Sequence, residues 1–290
     1  MITVNDELNA YRVFETLNSR GVQLSSTDLL KNYLFYVLDQ TDHEYELKTL
    51  EERWDQIVSR LQDEKFPSFL RVHWNSRHKF SRHVELFKNL RKNISSPKEV
   101  FLLLREMEED LDNYLGLIDP DSSALSMQES KELGELKLFG VRQPYPLLLA
   151  AKRKFSNEDF LKLLRIIKVI SFRYNVIGGY SPADLERVYN QAAQNLSDGK
   201  LVSLSQVVKA LASIYIDDKR FRNDFLVKVI NTNSSRSRKL VRYILCALEH
   251  YVGGAELDFR SESYNIEHIL PQQAQDGWGG LNFDQIQALT

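Results

Sequence analysis

Apolar residues recur with the 3.6-residue period of an α-helix along almost the whole chain. Residues 26–38 show the pattern clearly, because Leu30, Tyr33, Leu34 and Val37 fall on one broad apolar stripe, which is typical of a core helix. The periodicity predicts helices over residues 6–17, 26–38, 45–61, 97–115, 156–172, 181–195, 202–216, 220–230 and 239–251.

Helix start and stop signals agree with this periodicity. Ser96, Pro97 and Glu99 combine an N-terminal cap, a proline in the first turn and an acidic residue three positions after the cap. Gly253 and Gly254 end the last predicted helix. The sequence therefore predicts a mainly α fold, followed by a polar, β-compatible stretch over 255–265 and a short apolar run over 266–270.

Composition narrows the class of protein. The chain is 43% hydrophobic with 12 Gly and 7 Pro, which excludes a disordered or collagen-like protein. A net charge of −2 excludes a wholly basic nucleic-acid coat but leaves room for a local basic groove. No apolar run approaches the roughly 20 residues that span a bilayer, and the N-terminus does not read as a signal peptide. We expect a globular, cytoplasmic protein with no membrane contact.

The single cysteine, Cys246, excludes an internal disulfide and a cysteine-based zinc ribbon. It lies in an apolar run of the last predicted helix, so we expect a core position. A reactive thiol would need an exposed, electropositive setting.

Residues 14–32 predict two helices joined by a short turn. Gly21 suits a left-handed helix C-cap, and Ser25 with Asp28 suits the next N-cap. A DNA-reading helix-turn-helix is disfavoured, since Leu, Tyr and Phe stand where base-contacting polar groups belong. Two interpretations stay open: a simple packed pair of helices, or a ligand-facing turn in which Asn18 and Arg20 are available to contact phosphate.

The same segment resembles the later part of a GmrS-type domain, the ParB-like nucleotidase module of modification-dependent (Type IV) restriction enzymes. The matching residues are 11–21, Tyr-Arg-Val-Phe-Glu-Thr-Leu-Asn-Ser-Arg-Gly, and 28–32, Asp-Leu-Leu-Lys-Asn. The resemblance implies that Asn18, Arg20 and Gly21 border a nucleotide pocket. The family's Asp-Gly-Gln-Gln-Arg motif, which carries the nucleotide chemistry, does not occur in these 290 residues.

Residues 264–272, Tyr-Asn-Ile-Glu-His-Ile-Leu-Pro-Gln, resemble the start of a ββα-metal (HNH-like) nuclease finger, and more closely that of a GmrD-type nuclease domain. By this resemblance His268 is the general base and Glu267 a metal ligand. An imidazole titrates near neutrality, and a carboxylate is a hard oxygen ligand for Mg²⁺ or Mn²⁺. Glu267 and His268 on an exposed turn are the alternative.

The two resemblances occur in the family's order. The family's finger continues into an Asn-containing segment and a helix beyond the last residue here, Thr290. We therefore expect a fragment of a nucleotide-regulated endonuclease that is inactive by itself. Mg²⁺ or Mn²⁺, an NTP and the DNA substrate belong to the full-length parent, and a homo-oligomer is left open.

Two basic clusters are candidate DNA contacts. The first, in the basic and aromatic stretch 71–83, contributes Arg71, Arg77, Lys79 and Arg82. A solvated helix–loop–helix with aromatic anchors is its alternative. The histidines at 73, 78 and 83 are each five residues apart, about 140° around a helix, so we expect no shared metal. The second cluster contains Arg236 and Arg238, for which helix-start solubility is the alternative.

These observations predict three regions. Residues 1–60 form the C-terminal part of a GmrS-like module, residues 61–254 an all-helical connecting domain, and residues 255–290 the start of a GmrD-like finger. A competing hypothesis is a non-catalytic helical scaffold that binds protein or nucleic acid.

Overall fold

The computed structural model describes residues 26–39, 44–61, 65–121, 125–261, 263, 265, 266 and 285. Its helices, numbered over this part of the chain, are α1 (Ser26–Asp39), α2 (Glu44–Leu61), α3 (Phe66–Asn75), α4 (His83–Asn93), α5 (Pro97–Ile118), α6 (Met127–Phe139), α7 (Tyr145–Lys154), α8 (Asn157–Ser171), a π-helix (Phe172–Ile177), α9 (Pro182–Ser197), α10 (Leu204–Ala210), a 3₁₀ turn (Ala212–Ile214), α11 (Asp218–Leu226) and α12 (Ser235–Tyr251).

The mainly α prediction is confirmed, since the described residues contain helices and no strand. Among them, no helix has both the length and the apolar character needed to cross a membrane. The predicted helix over 6–17 and the central residues of the predicted nuclease finger lie outside the described residues.

The chain divides into two compact units, residues 1–226 and 227–290. In the first unit α7 is the central helix. Every residue from Tyr145 to Ala151 is buried, so the helix is apolar on all sides over this span. It contacts α3, α5, α8 and α9. A helix that is apolar all round is expected at the centre of a core. Of the neighbouring helices, α5, α8 and α9 were predicted from the periodicity, and each buries an apolar stripe.

Caps and charges set the positions of the surrounding helices. At the start of α5 the Glu99 carboxylate accepts hydrogen bonds from the Ser96 backbone N–H and hydroxyl, each at 3.0 Å, as the capping signal predicts. Helix α6 buries a row of carboxylates that the apolar pattern did not predict. Lys168 of α8 pairs with Glu132 at 2.6 Å and with Glu135 at 3.0 Å, so α6 and α8 contact each other partly through ion pairs.

One predicted helix is shorter than expected. The interpretation of residues 202–216 as a single helix is wrong, because α10 ends at Ala210 and a 3₁₀ turn follows. Leu211, Ile214 and Ile216 are all buried. A 3₁₀ helix has three residues per turn, fewer than the 3.6 of an α-helix. This tighter winding is consistent with the burial of these three side chains, which a continued α-helix would distribute around its surface.

Candidate functional site

The structure brings the stretch 71–83 into a buried ionic cluster, which we call the Asp110 cluster. The carboxylate of Asp110 lies 2.8 Å from Nδ1 of His73, 3.1 Å from Nε of Arg77 and 2.7 Å from Nη1 of Arg153. The side chains of His73 and Asp110 have no exposed surface. Arg153 also donates to the Ser76 carbonyl at 3.0 Å and to the Ser197 hydroxyl at 3.3 Å. The cluster therefore ties α3, α5, α7 and α9 together.

Burial and hydrogen bonding set the charges in this cluster. Burial by itself would raise the pKa of Asp110, but the hydrogen bond from His73 and the charges of Arg153 and Arg77 outweigh it, and the pKa is lowered. Burial lowers the pKa of His73, against the opposing effect of Asp110. We therefore assign an ionised Asp110 and a neutral His73 that donates its Nδ1 proton. Because no solvent reaches either side chain, the cluster is a structural element rather than a reaction centre.

A separate polar cavity of about 540 Å³ lies beside the Asp110 cluster, and we call it the basic groove. Helix α4 contributes a polar face at helical spacing, made of Glu85, Lys88, Asn89, Lys92 and Asn93. The turn after α3 contributes Trp74, His78, Lys79 and Phe80. A neighbouring face of α4 buries Leu86 and Leu90, which fixes the direction of the polar face.

Aromatic rings form one wall of the basic groove. The His78 imidazole stacks on Trp74, with 4.0 Å between ring centroids and 29° between ring planes. Burial, with the nearby charge of Arg77, lowers the pKa of His78 to about 4. His78 is thus neutral near pH 7, and the positive charge of the groove comes from its lysines.

The candidate DNA contacts of the first cluster divide into two pairs. Arg71 forms an ion pair with Glu186, and Arg77 pairs with Glu106 as well as Asp110. Both arginines therefore already have carboxylate partners. Lys79 and Arg82 are exposed, and the structure gives neither side chain an ion pair within the part of the chain that it describes.

The first stretch is also less solvated than the helix–loop–helix interpretation requires. His73, Asn75, Ser76 and Ser81 are all buried. The Asn75 side chain bonds Ser81 in both directions, accepting from its N–H at 2.8 Å and donating to its carbonyl at 3.1 Å. The turn that shapes the groove is therefore held from inside.

In the second unit, α12 begins with Ser234 as its cap, whose hydroxyl accepts from the Ser237 N–H at 3.0 Å. Arg236 and Arg238 are exposed in its first turn, and Arg238 donates to the Thr232 carbonyl at 3.1 Å. Cys246 is half-buried and lines a cavity of about 440 Å³ on α12, so the expected core position is wrong. The same cavity is lined by Ile266, which directly precedes Glu267.

The remaining predicted site residues, Asn18, Arg20, Gly21, Glu267 and His268, lie outside the described residues. Within the described part of the chain, no group of three or more His, Cys, Asp or Glu side chains is arranged to hold a metal ion. The carboxylate of Glu267 is a hard oxygen donor of the kind that Mg²⁺ and Mn²⁺ prefer, so a metal at this motif is a prediction from residue type.

Comparison with known proteins finds one family model that is similar to the C-terminal part of the chain. Residues 215–290 match the family model for the C-terminal domain of GmrSD restriction endonucleases. No curated protein matches the chain. The GmrSD match includes α12, the cavity beside it, and the Glu267–His268 pair. The match shows that residues 215–290 are similar to the C-terminal domain of GmrSD restriction endonucleases.

Proposed function

We propose that this chain is part of a DNA endonuclease that cleaves foreign or modified DNA under nucleotide control. The observation that carries the proposal is the GmrSD match over residues 215–290, which includes an acidic residue directly before a histidine. The resemblance of residues 11–32 to a GmrS-type module supports nucleotide control, with Asn18, Arg20 and Gly21 at the border of the pocket.

His268 and Glu267 have different roles in this proposal. Phosphodiester hydrolysis needs a group that takes a proton from the attacking water, and a neutral imidazole does this near pH 7. We assign that role to His268. We assign Glu267 to metal binding through its carboxylate oxygens. A bound Mg²⁺ or Mn²⁺ would offset the negative charge that develops on the phosphate.

The test uses the complete gene product and measures cleavage of modified and unmodified plasmid DNA with Mn²⁺ or Mg²⁺, with and without NTP. We expect His268→Ala to lower the cleavage rate by about 100-fold or more, the usual contribution of a general base. The matched control is His250→Ala, which removes an exposed histidine from α12 in the same unit. Equal loss in both variants, or full cleavage by His268→Ala, would refute the assignment.

Metal binding separates the two residues without relying on cleavage. Titration calorimetry with Mn²⁺ alone should show weaker binding for Glu267→Ala and nearly unchanged binding for His268→Ala. Normal Mn²⁺ binding by Glu267→Ala would contradict its role as a ligand.

We expect residues 1–290 by themselves to show no NTP hydrolysis, since the family's Asp-Gly-Gln-Gln-Arg motif, which carries the nucleotide chemistry, is not among them. The competing proposal, a non-catalytic scaffold, predicts that the complete gene product also binds DNA or protein without cutting DNA. The cleavage assay therefore distinguishes the two proposals directly.

A further inference from the structure

We propose that the basic groove between α4 and the turn after α3 is a binding site for the phosphate groups of a nucleic-acid strand. The site belongs to the first compact unit and uses none of the residues assigned to cleavage. It goes beyond the proposed function, because a strand could bind here whether or not the second unit is a nuclease.

The charge pattern of α4 is the first observation. Lys88 and Lys92 stand four residues apart on the polar face, where like charges repel each other on neighbouring turns. Lys79, on the turn after α3, lines the same groove. The structure gives none of these three ammonium groups a carboxylate partner in the part of the chain that it describes, and all three side chains are exposed. One carboxylate, Glu85, lines the groove, so the lining carries a net positive charge.

This arrangement contrasts with the other cations of the same region. Arg71, Arg77 and Arg153 each pair with a carboxylate of the protein. The lysines of the groove are thus set apart from the internal ion-pair network. An anionic ligand would relieve their mutual repulsion, and lysine is a strong point-charge donor to phosphate.

The second observation is a buried donor without an acceptor. Trp74 is 3% exposed and lines the groove, and its indole Nε1 is buried with no hydrogen-bond partner. Nearly all buried polar groups in proteins are paired, so an unpaired one calls for a ligand or a bound water. A water, or a phosphate or base oxygen that reaches the Trp74 side of the groove, is a suitable acceptor for an indole N–H.

The shape of the site favours a nucleotide unit over a bare ion. A cavity of about 540 Å³ lies in the size range of small-ligand sites and is far larger than a phosphate needs. Asn89 and Asn93 supply amide donors and acceptors on the same face of α4. Neutral His78, stacked on Trp74, adds an aromatic surface of the kind on which bases stack in single-strand binding sites.

A nucleic-acid strand and a free nucleotide share this chemistry, and the experiment separates them. Fluorescence anisotropy would measure binding of a labelled single-stranded oligonucleotide and a labelled duplex to the full chain. Competition with inorganic phosphate and with a mononucleotide would form the second arm. We expect the oligonucleotide to bind, with affinity falling as salt rises, and the small anions to compete weakly.

The variant K88Q/K92Q removes two charges from the groove. We expect its oligonucleotide affinity to fall about tenfold in about 0.1 M salt. The slope of log affinity against log salt should become shallower by about 1.4, because each phosphate contact on a single strand contributes about 0.7. The matched control, K98Q/K209Q, removes two exposed lysines of the same unit that do not line the groove, and its affinity and slope should stay within about twofold of the parent.

Trp74→Phe keeps an aromatic ring but removes the N–H. Relative to the parent, we expect lower oligonucleotide affinity with an unchanged slope of log affinity against log salt. Thermal unfolding of each variant confirms that the unit remains folded under assay conditions. Equal affinity and slope in K88Q/K92Q and the parent would overturn the proposal. Binding of the mononucleotide but not the oligonucleotide would overturn the assignment to a strand. Neither result depends on His268, so failure here is distinct from failure of the nuclease proposal.

Discussion

Replacing Asp110 with Ala should strongly destabilise the first unit. The change removes a buried carboxylate that lies 2.8 Å from His73, 3.1 Å from Arg77 and 2.7 Å from Arg153. Removing one partner of a buried ion pair typically costs about 3–5 kcal/mol, because the remaining charge is left uncompensated. Arg77 keeps its ion pair with Glu106. Arg77 and Arg153 also keep 15% and 13% of their side-chain surface exposed and can recover some hydration. We therefore expect the lower end of that range, about 3 kcal/mol.

That loss is a large share of the roughly 5–15 kcal/mol that stabilises a typical domain. Urea unfolding should be followed by tryptophan fluorescence in a Trp278→Phe background. Trp54 and Trp74, which lie in the first unit, then provide the signal. Asp110→Asn should cost less than Asp110→Ala, since its amide oxygen can still accept a hydrogen bond from Arg153.

The matched control is Asp112→Ala, on the same helix α5. Asp112 pairs with Arg60, but both side chains are at least half exposed, and exposed ion pairs contribute about 0–1 kcal/mol. If Asp110→Ala and Asp112→Ala lower the urea midpoint equally, the Asp110 cluster does not stabilise the fold as argued. A stable Asp110→Ala protein with an unchanged midpoint would have the same meaning.

Two further predictions concern acid sensitivity and the core. In the folded state the pKa of His78 is about 4, below its ordinary 6.5. Between pH 6.5 and pH 4 the folded protein therefore binds fewer protons than the unfolded chain. The free energy of unfolding should fall as the pH is lowered through this range. His78→Phe should flatten the dependence of the urea midpoint on pH from 7 to 4.5, and an unchanged profile would contradict this reasoning. Phe160→Ala leaves a cavity at a fully buried position of α8 and should lower the free energy of unfolding by about 3–5 kcal/mol. The control, Val169→Ala, changes a 42% exposed position of the same helix and should lower it by well under half as much. Similar urea midpoints for the two variants would show that Phe160 is not in the core.

Local sequence was enough to place most of the helices. The apolar stripes over 26–38 and 45–61 correspond to Ser26–Asp39 and Glu44–Leu61. The capping signal at Ser96 begins α5 as predicted. These predictions succeed because helix formation and capping depend on residues three and four positions apart, which a single sequence displays. The basic and aromatic character of residues 71–83 can be read directly from the sequence.

The sequence also displays the short Glu267–His268 motif, on which the nuclease proposal depends through residue type and order rather than through contacts. The motif lies within the residues that match the GmrSD C-terminal domain, and its catalytic role stays a prediction. By contrast, the polar face of α4 could have been found from the spacing of Glu85, Lys88 and Lys92, but no motif drew attention to it.

Only the tertiary structure decided which basic residues are available to a ligand. Arg71 pairs with Glu186, 115 positions away, and Asp110 is 33 positions from Arg77 and 43 from Arg153. Helix packing brings these distant partners together, and no local sequence pattern predicts them. The same packing buries His73 completely and leaves Lys79, Lys88 and Lys92 around one cavity. Sequence determined the charges and the helices, whereas the packing of distant helices determined which charges neutralise each other and which face solvent.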